Sequence, residues 1–354
     1  MKLYPFIRVS AVFVIGLLFA GLAQASSTFP AASQPQLAVT NEGRVYLVYG
    51  SNKSVYVARS VDGGASFDKP VKVTTAPSLA IGMRRGPRIA AQGDHVTVTL
   101  NAGELLAFSS PDGGRTWTGP VTINDVPGSS REGLHDLAVT PNGRLFLTWL
   151  DLREGTTALF ASESSDGGQT WTRNAPLYRS PETSICECCH PSAVFDSAGN
   201  LAVMWRNWLG GSRDLWLMIR QAGSERFSEP VKQGAGTWKL NGCPMDGGDV
   251  FANTRGNFDT VWQRAGSIFI QSPNQPELRL AAGQQPVAAI VGDHTLIAWQ
   301  KGADIWSVQL SSGNPVSEPA VLAVGARYPA LVALSRSKAI LAYEQGSDVI
   351  VETP

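Results

Sequence analysis

The chain has 354 residues, with Lys+Arg and Asp+Glu at 29 each, so its formal net charge is zero. Charged residues make up 16% of it, against an ordinary ~25%. This balance speaks against nucleic-acid binding, which needs a strongly basic face, and the 43% hydrophobic content speaks against disorder, because it can bury a core.

At the N-terminus, Lys2 and Arg8 precede an apolar run from Ala11 to Ala23, and Ala23-Gln24-Ala25 fits the small-x-small cleavage rule. Residues 1–25 therefore read as a cleaved signal peptide, whose apolar run is short for a bilayer span. No later segment is apolar enough to span one. The expectation is a periplasmic or secreted protein with one domain over residues 26–354.

A single pattern then recurs along the chain: a short apolar strand, a Gly/Asn/Asp turn, and an alternating strand that usually ends in an aromatic. It covers Leu37–Gly50, Arg88–Asn101, Leu137–Leu150, Ala193–Arg206, Val250–Gln263, Val287–Gln300 and Leu331–Glu344. Anchored on Tyr49, Leu100, Trp149, Trp205, Trp262, Trp299 and Tyr343, the steps are 51, 49, 56, 57, 37 and 44 residues. A third and a fourth strand follow each hairpin, as in Ser54–Ser60 and Thr116–Ile123. Four antiparallel strands per repeat of this length predict an all-β fold, a β-propeller. Seven blades are expected, or six if the weak copies at 250–300 make one irregular blade. The last unit stops after its third strand, so the segment Phe29–Gln36 is expected to supply its outer strand and hide the open edge.

Three units carry the turn motif Ser-x-Asp-Gly-Gly-x-Ser/Thr-Phe/Trp, around Asp62, Asp112 and Asp166, each ending in Phe67, Trp117 or Trp171. The Asp accepts hydrogen bonds from turn N–H groups, and the Gly pair takes positive φ. A fourth copy, Arg220–Phe227, has lost its Asp. The motif resembles the Asp box, or BNR repeat, of sialidases. The resemblance implies a sialidase-like propeller in which these boxes are structural and sit away from the working face.

In such a blade, the start of the first strand and the loop between the second and third share one end. That end gathers Arg84, Arg85, Arg88, Glu132, His135, Asp136, Arg206, Arg213, Asp246, Asp249, Arg327 and Tyr328, together with all four cysteines. Loops on a rigid scaffold favour binding. Arginine forks suit anionic ligands, so Arg85, Arg88, His135, Arg206 and Arg327 are candidate ligand-binding residues for an anionic sugar, another small anion or a glycan. The sialidase resemblance implies a Tyr nucleophile and carboxylic acids, for which Tyr328, Glu132 and Asp136 are the candidates. The family's Arg-Ile-Pro motif is absent; its nearest echo is Arg88-Ile89-Ala90.

The cysteines form a second candidate centre: Cys186, Cys188 and Cys189, followed by His190, in ICECCHP, and Cys243 in NGCPMDGG. In an oxidising compartment a disulfide from Cys243 to one of the three is expected. The adjacent pair Cys188–Cys189 has Cα atoms ~3.8 Å apart, below the ordinary disulfide range. A strained bond or two free thiols must therefore remain. Thiolates with imidazole select soft ions such as copper or zinc, and Cys186, Cys188 and Cys243 with His190 or Met245 are the candidate ligands. The segments CECCHPSAVFD and WKLNGCPMDGG resemble those of an exported sub-group of sialidase-like proteins. Two functions are thus expected: ligand recognition on the loop face, with glycoside hydrolysis as an extension, or a thiol-based metal-binding or protein-docking scaffold.

Overall fold

The computed structural model describes residues 26–182 and 184–354. The expected signal peptide lies outside the described residues. Among them every regular element is a strand, and no helix is long and apolar enough to cross a membrane. The strands form seven antiparallel sheets, six of four strands and one with an additional short strand. Their innermost strands are Ser33–Val39, Arg88–Gln92, His135–Val139, Ser192–Phe195, Asp249–Ala252, Gln284–Val291 and Ala326–Ser335. Each packs against the next, and the last packs against the first. The fold is a seven-bladed β-propeller, with the weak repeats between 250 and 300 forming two separate blades.

Burial explains the repeat. The second strand of a blade lies between neighbouring blades, so both its faces meet apolar atoms and the alternation gives way to a near-continuous apolar run. Val45–Ser51 and Leu145–Asp151 are buried almost throughout, whereas the outer strand Thr118–Thr122 is largely exposed. The aromatic anchors end these second strands: Trp149, Trp205, Trp262 and Trp299 are all essentially inaccessible. Each indole contributes up to about 5 kcal/mol of apolar burial.

Ring closure differs in detail from the expectation. The strand that completes blade seven is Ser26–Phe29, paired with Asp348–Glu352. Ser33–Gln36, expected in that strand, instead begins the innermost strand of blade one. Phe29 decides the docking: its ring sits 5.5 Å from Tyr49 and 5.6 Å from Phe67, both in blade one. The same seam is held by Glu344, whose Oε1 accepts from the Gln34 N–H at 2.8 Å and from its side-chain amide at 3.0 Å.

The Ser-x-Asp-Gly-Gly turns lie between third and fourth strands, on the end opposite the arginines. Asp112 Oδ1 accepts from the Arg115 and Thr116 N–H groups at 3.0 and 2.9 Å, and its Oδ2 from the Thr116 hydroxyl at 2.6 Å. Ser110 Oγ accepts from the Gly114 N–H at 2.8 Å. Asp62 and Asp166 repeat this network. The glycines serve a second purpose besides φ: the turns lean on the preceding blade. A Cβ at Gly64 would lie 2.6 Å from Ile340 Cδ1, and one at Gly168 2.8 Å from Thr97 Cγ2.

Candidate functional site: the loop face and its cysteine cluster

The loop face carries the arginines where the sequence places them, but most of their guanidinium groups are already engaged. Arg206 is 1% exposed. It donates to the carbonyls of Asp246, Arg213 and Gln263 at 2.9, 2.7 and 2.9 Å, which ties blade four to the loop carrying Cys243. Arg88, also buried, donates to the carbonyls of Gly86 and Arg84 at 2.9 and 2.7 Å and lies 3.5 Å from Asp136. Arg84 reaches from the blade-one-to-two connection to the inner strands of blades six and seven. It donates to Gln285 Oε1 at 2.8 Å and to the Pro329 carbonyl at 2.9 Å, and burial with the Arg88 charge lowers its pKa to about 10. Arg85 donates to the Glu132 carbonyl at 2.7 Å, and its guanidinium lies 3.7 Å from the Glu132 carboxylate.

The candidate acid Asp136 and two further carboxylates of this face act the same way. Asp136 Oδ2 accepts from the Ala193 N–H at 2.8 Å, and Asp249 Oδ2 from the Ala288 N–H at 3.0 Å. Asp246 Oδ2 accepts from the Gln285 N–H at 2.6 Å. Each carboxylate therefore clamps one blade to the next. Burial raises the Asp136 carboxyl and pushes that of Asp249 up to about 6. His135 is buried between the Gly133 carbonyl, 3.2 Å from Nδ1, and the Thr99 hydroxyl, 3.1 Å from Nε2. Burial, with the Arg88 charge, lowers its pKa to about 3, so the imidazole is neutral and offers no charge to an anion. Arg327 alone of the expected binding set presents a largely open side chain, 55% exposed, although its Nε donates to Glu344 at 2.8 Å. Its guanidinium is 5.9 Å from the Tyr328 ring. Among the described residues no carboxylate bonds to the Tyr328 hydroxyl, and the Glu132 and Asp136 carboxylates face arginines. A recess between blades five and six opens near Asn253, Asp293 and Ser312, at the hairpin turns of the opposite end.

The cysteines are brought together. Cys188 is bonded to Cys243, with Cα atoms 6.1 Å apart, while Cys186 and Cys189 are free and buried. The ligand atoms of Cys186, Cys188 and Cys189 all lie within 4.8 Å of one another. Cys186 Sγ is 3.2 Å from Cys189 Sγ and 3.7 Å from Cys188 Sγ, and Arg213 Nη1 donates to it at 3.1 Å. The Cys189 thiol, with the Arg206 and Arg213 charges, outweighs burial and holds the Cys186 thiol down at about 6; burial pushes Cys189 well up. Met245 packs against the three cysteines. His190 stands apart from this group: its Nε2 faces the Gly248 carbonyl at 3.1 Å, and its Nδ1 is buried without a partner.

Of the expected sulfur ligands, Cys186, Cys188 and Cys243 are gathered here together with Cys189 and Met245, while His190 faces the Gly248 carbonyl instead. Glu187 and Cys188 form a turn, and Cys189 comes nearer to Cys186, at 3.2 Å, than Cys188 does, at 3.7 Å. The signal that identifies this pair is the Cys-x-x-Cys spacing of 186 and 189. Arg213, as the guanidinium partner of Cys186, carries no local sequence mark.

No protein-family model and no curated protein matches the chain. Solved structures do. YCF48 bound to D1 peptide is 13% identical with a TM-score of 0.60, over 93% of this chain and 94% of that one. A catalytically inactive virginiamycin B lyase from Staphylococcus aureus, with quinupristin, is 13% identical with a TM-score of 0.58, over 93% and 98%. The Hadza microbial sialidase Hz136 is 16% identical with a TM-score of 0.51, over 92% and 68%. At these identities the likeness shows a shared propeller fold.

Proposed function

We propose that the chain is an exported binding propeller of sialidase-like, Asp-box type whose working centre is the cysteine cluster, and that this centre takes a soft metal ion rather than hydrolysing a glycoside. The observation that carries the reading is the buried Cys186–Cys189 pair at 3.2 Å, with Arg213 on one sulfur and the Met245 side chain packed against it. Two thiolates and a thioether suit Cu(I), whereas Zn wants four N, S or O ligands. A copper dithiolate carries a net negative charge, and Arg213 and Arg206 stand where that charge needs compensation. Of the arginines of the sialidase scheme, Arg88 and Arg206 are committed to carbonyls and Arg327 alone stays open, which speaks against the three-arginine carboxylate clamp that hydrolysis of a sialoside uses.

Anaerobic titration with Cu(I) against a competing chelator, with a free-thiol count, tests this. One ion per chain, lost in Cys186→Ser and in Cys189→Ser, is the expected result; two titratable thiols and no bound ion would remove the reading. A second reading, recognition of a small anion or glycan at the rim, rests on the open side chain of Arg327 beside Tyr328. Fluorophore release from an α-sialoside, abolished in Tyr328→Phe, would favour it and restore the enzyme.

A further inference from the structure

The four sulfurs form a path from the surface to the interior. Cys243 is exposed, while Cys186, Cys188 and Cys189 are 0%, 5% and 1% exposed. The Cys188–Cys243 bond joins the outer sulfur to the inner group. From Cys188 the next sulfur is Cys186 at 3.7 Å, and from Cys186 it is Cys189 at 3.2 Å. Arg213 Nη1 donates to Cys186 Sγ at 3.1 Å, so the sulfur that lies between Cys188 and Cys189 is also the one held in place by a guanidinium. Cys188 and Cys189 are neighbours in sequence, and the short Cα separation of neighbours disfavours a direct bond between them. Transfer between the outer and inner sulfurs therefore has to pass through Cys186.

We infer that the cluster is a thiol–disulfide relay, in which the exposed Cys243 is the port through which the buried Cys186–Cys189 dithiol reduces a disulfide in solution. In the first step the Cys186 sulfur gives up its proton and attacks Cys188 Sγ; a Cys186–Cys188 bond forms, the Cys188–Cys243 bond breaks, and Cys243 leaves as a thiolate. In the second, Cys189 attacks Cys186 Sγ, gives up its proton and expels Cys188, leaving a Cys186–Cys189 disulfide. Cys243 then attacks the external disulfide and expels one of its halves as a thiol. Cys188 attacks Cys243 Sγ, which restores the original bond and releases the other half. Two electrons and two protons pass from the buried dithiol to the external disulfide. The inference rests on the placement of the working centre at these cysteines, and it does not require a metal.

The test uses metal-free protein in the presence of a chelator, with oxidised glutathione as the acceptor, acid quenching and peptide mapping. Wild-type protein is expected to release two equivalents of glutathione thiol and to gain a Cys186–Cys189 bond. In Cys243→Ser the buried thiols should oxidise at least about tenfold more slowly, since access limits exchange. In Cys189→Ser the relay should stall after its first step, with a Cys186–Cys188 bond and glutathione attached to Cys243. Oxidation of Cys243→Ser at the wild-type rate, glutathione attached to Cys186 over an intact Cys188–Cys243 bond in Cys189→Ser, or no reaction of the wild type would each overturn the relay. Loss of the copper reading leaves this result readable, and loss of the relay leaves the copper titration readable.

Discussion

Replacing Arg206 by Met separates a structural fastener from a ligand-binding arginine. The guanidinium is 1% exposed and satisfies three carbonyls, on Asp246, Arg213 and Gln263. Without it, three buried acceptors lose their donor, at about 1–3 kcal/mol each. Part of that is offset, because the unfolded chain no longer has to desolvate a cation and Met fills most of the volume. The net loss is therefore about 3–5 kcal/mol, which corresponds to roughly 6 °C in melting temperature for a domain of this size. Urea unfolding followed by Trp fluorescence, with calorimetry, reads it directly. Arg131→Met, at an exposed position on the same face, is the control and should stay within about 0.5 kcal/mol. The Asp246 and Arg213 carbonyls flank the cysteine cluster, so the variant should also speed alkylation of Cys186. A loss below about 1 kcal/mol with unchanged alkylation would mean that water can replace the guanidinium. The reading of this face as a set of clamps would then fail.

Gly247→Ala should be at least as damaging locally, because its Cβ would lie 1.8 Å from the His190 carbonyl oxygen. We expect about 3 kcal/mol of destabilisation from this overpacking, checked by urea midpoint, and a lower yield of the Cys188–Cys243 bond by peptide mapping; a neutral variant would contradict the packing of the two cysteine segments. The Asp62 carboxyl is held down at about 2 by the Ser66 hydroxyl and N–H. Its contribution to stability is thus present above about pH 4 and lost as the pH falls toward about 2. Asp62→Asn should flatten that part of the acid-unfolding profile, and an unchanged slope would refute the assignment. Asp249 has the opposite sign: burial pushes its carboxyl up to about 6, so its contribution is present below about pH 4 and lost as the pH rises through about 6. Asp249→Asn should therefore gain on the wild type between pH 4 and 7, read from urea midpoints across that range; parallel profiles would show that the carboxyl is not raised.

The blade repeat was legible because its cause is local. A strand covered on both faces reads as an apolar run, an aromatic closes it, and a Ser-x-Asp-Gly-Gly turn supplies its own hydrogen bonds. Assigning the closing strand required information that is not local. Ser26–Phe29 and Ser33–Gln36 are both extended, and only the docking of Phe29 beside Tyr49 and Phe67 decides which of them pairs with Asp348–Glu352. The loop face was also legible as a place, since strand parity sends Arg88, His135, Cys186 and Tyr328 to one end of the ring.

What those side chains do there was hidden, for a physical reason. An arginine aimed at a ligand and an arginine aimed at a carbonyl look alike in sequence. The choice depends on partners such as Gln285 and Pro329, which lie 201 and 245 residues from Arg84. The cysteines show the same limit at short range. An extended reading of 186–189 pairs Cys186 with Cys188 by alternation. One turn at Glu187–Cys188 also brings Cys189 to 3.2 Å from Cys186, nearer than Cys188 at 3.7 Å, while Cys188 bonds to Cys243. The chemistry of the face depends on that turn more than on the number of charged groups around it, because the turn decides which two sulfurs stay free and which one bonds to the exposed Cys243.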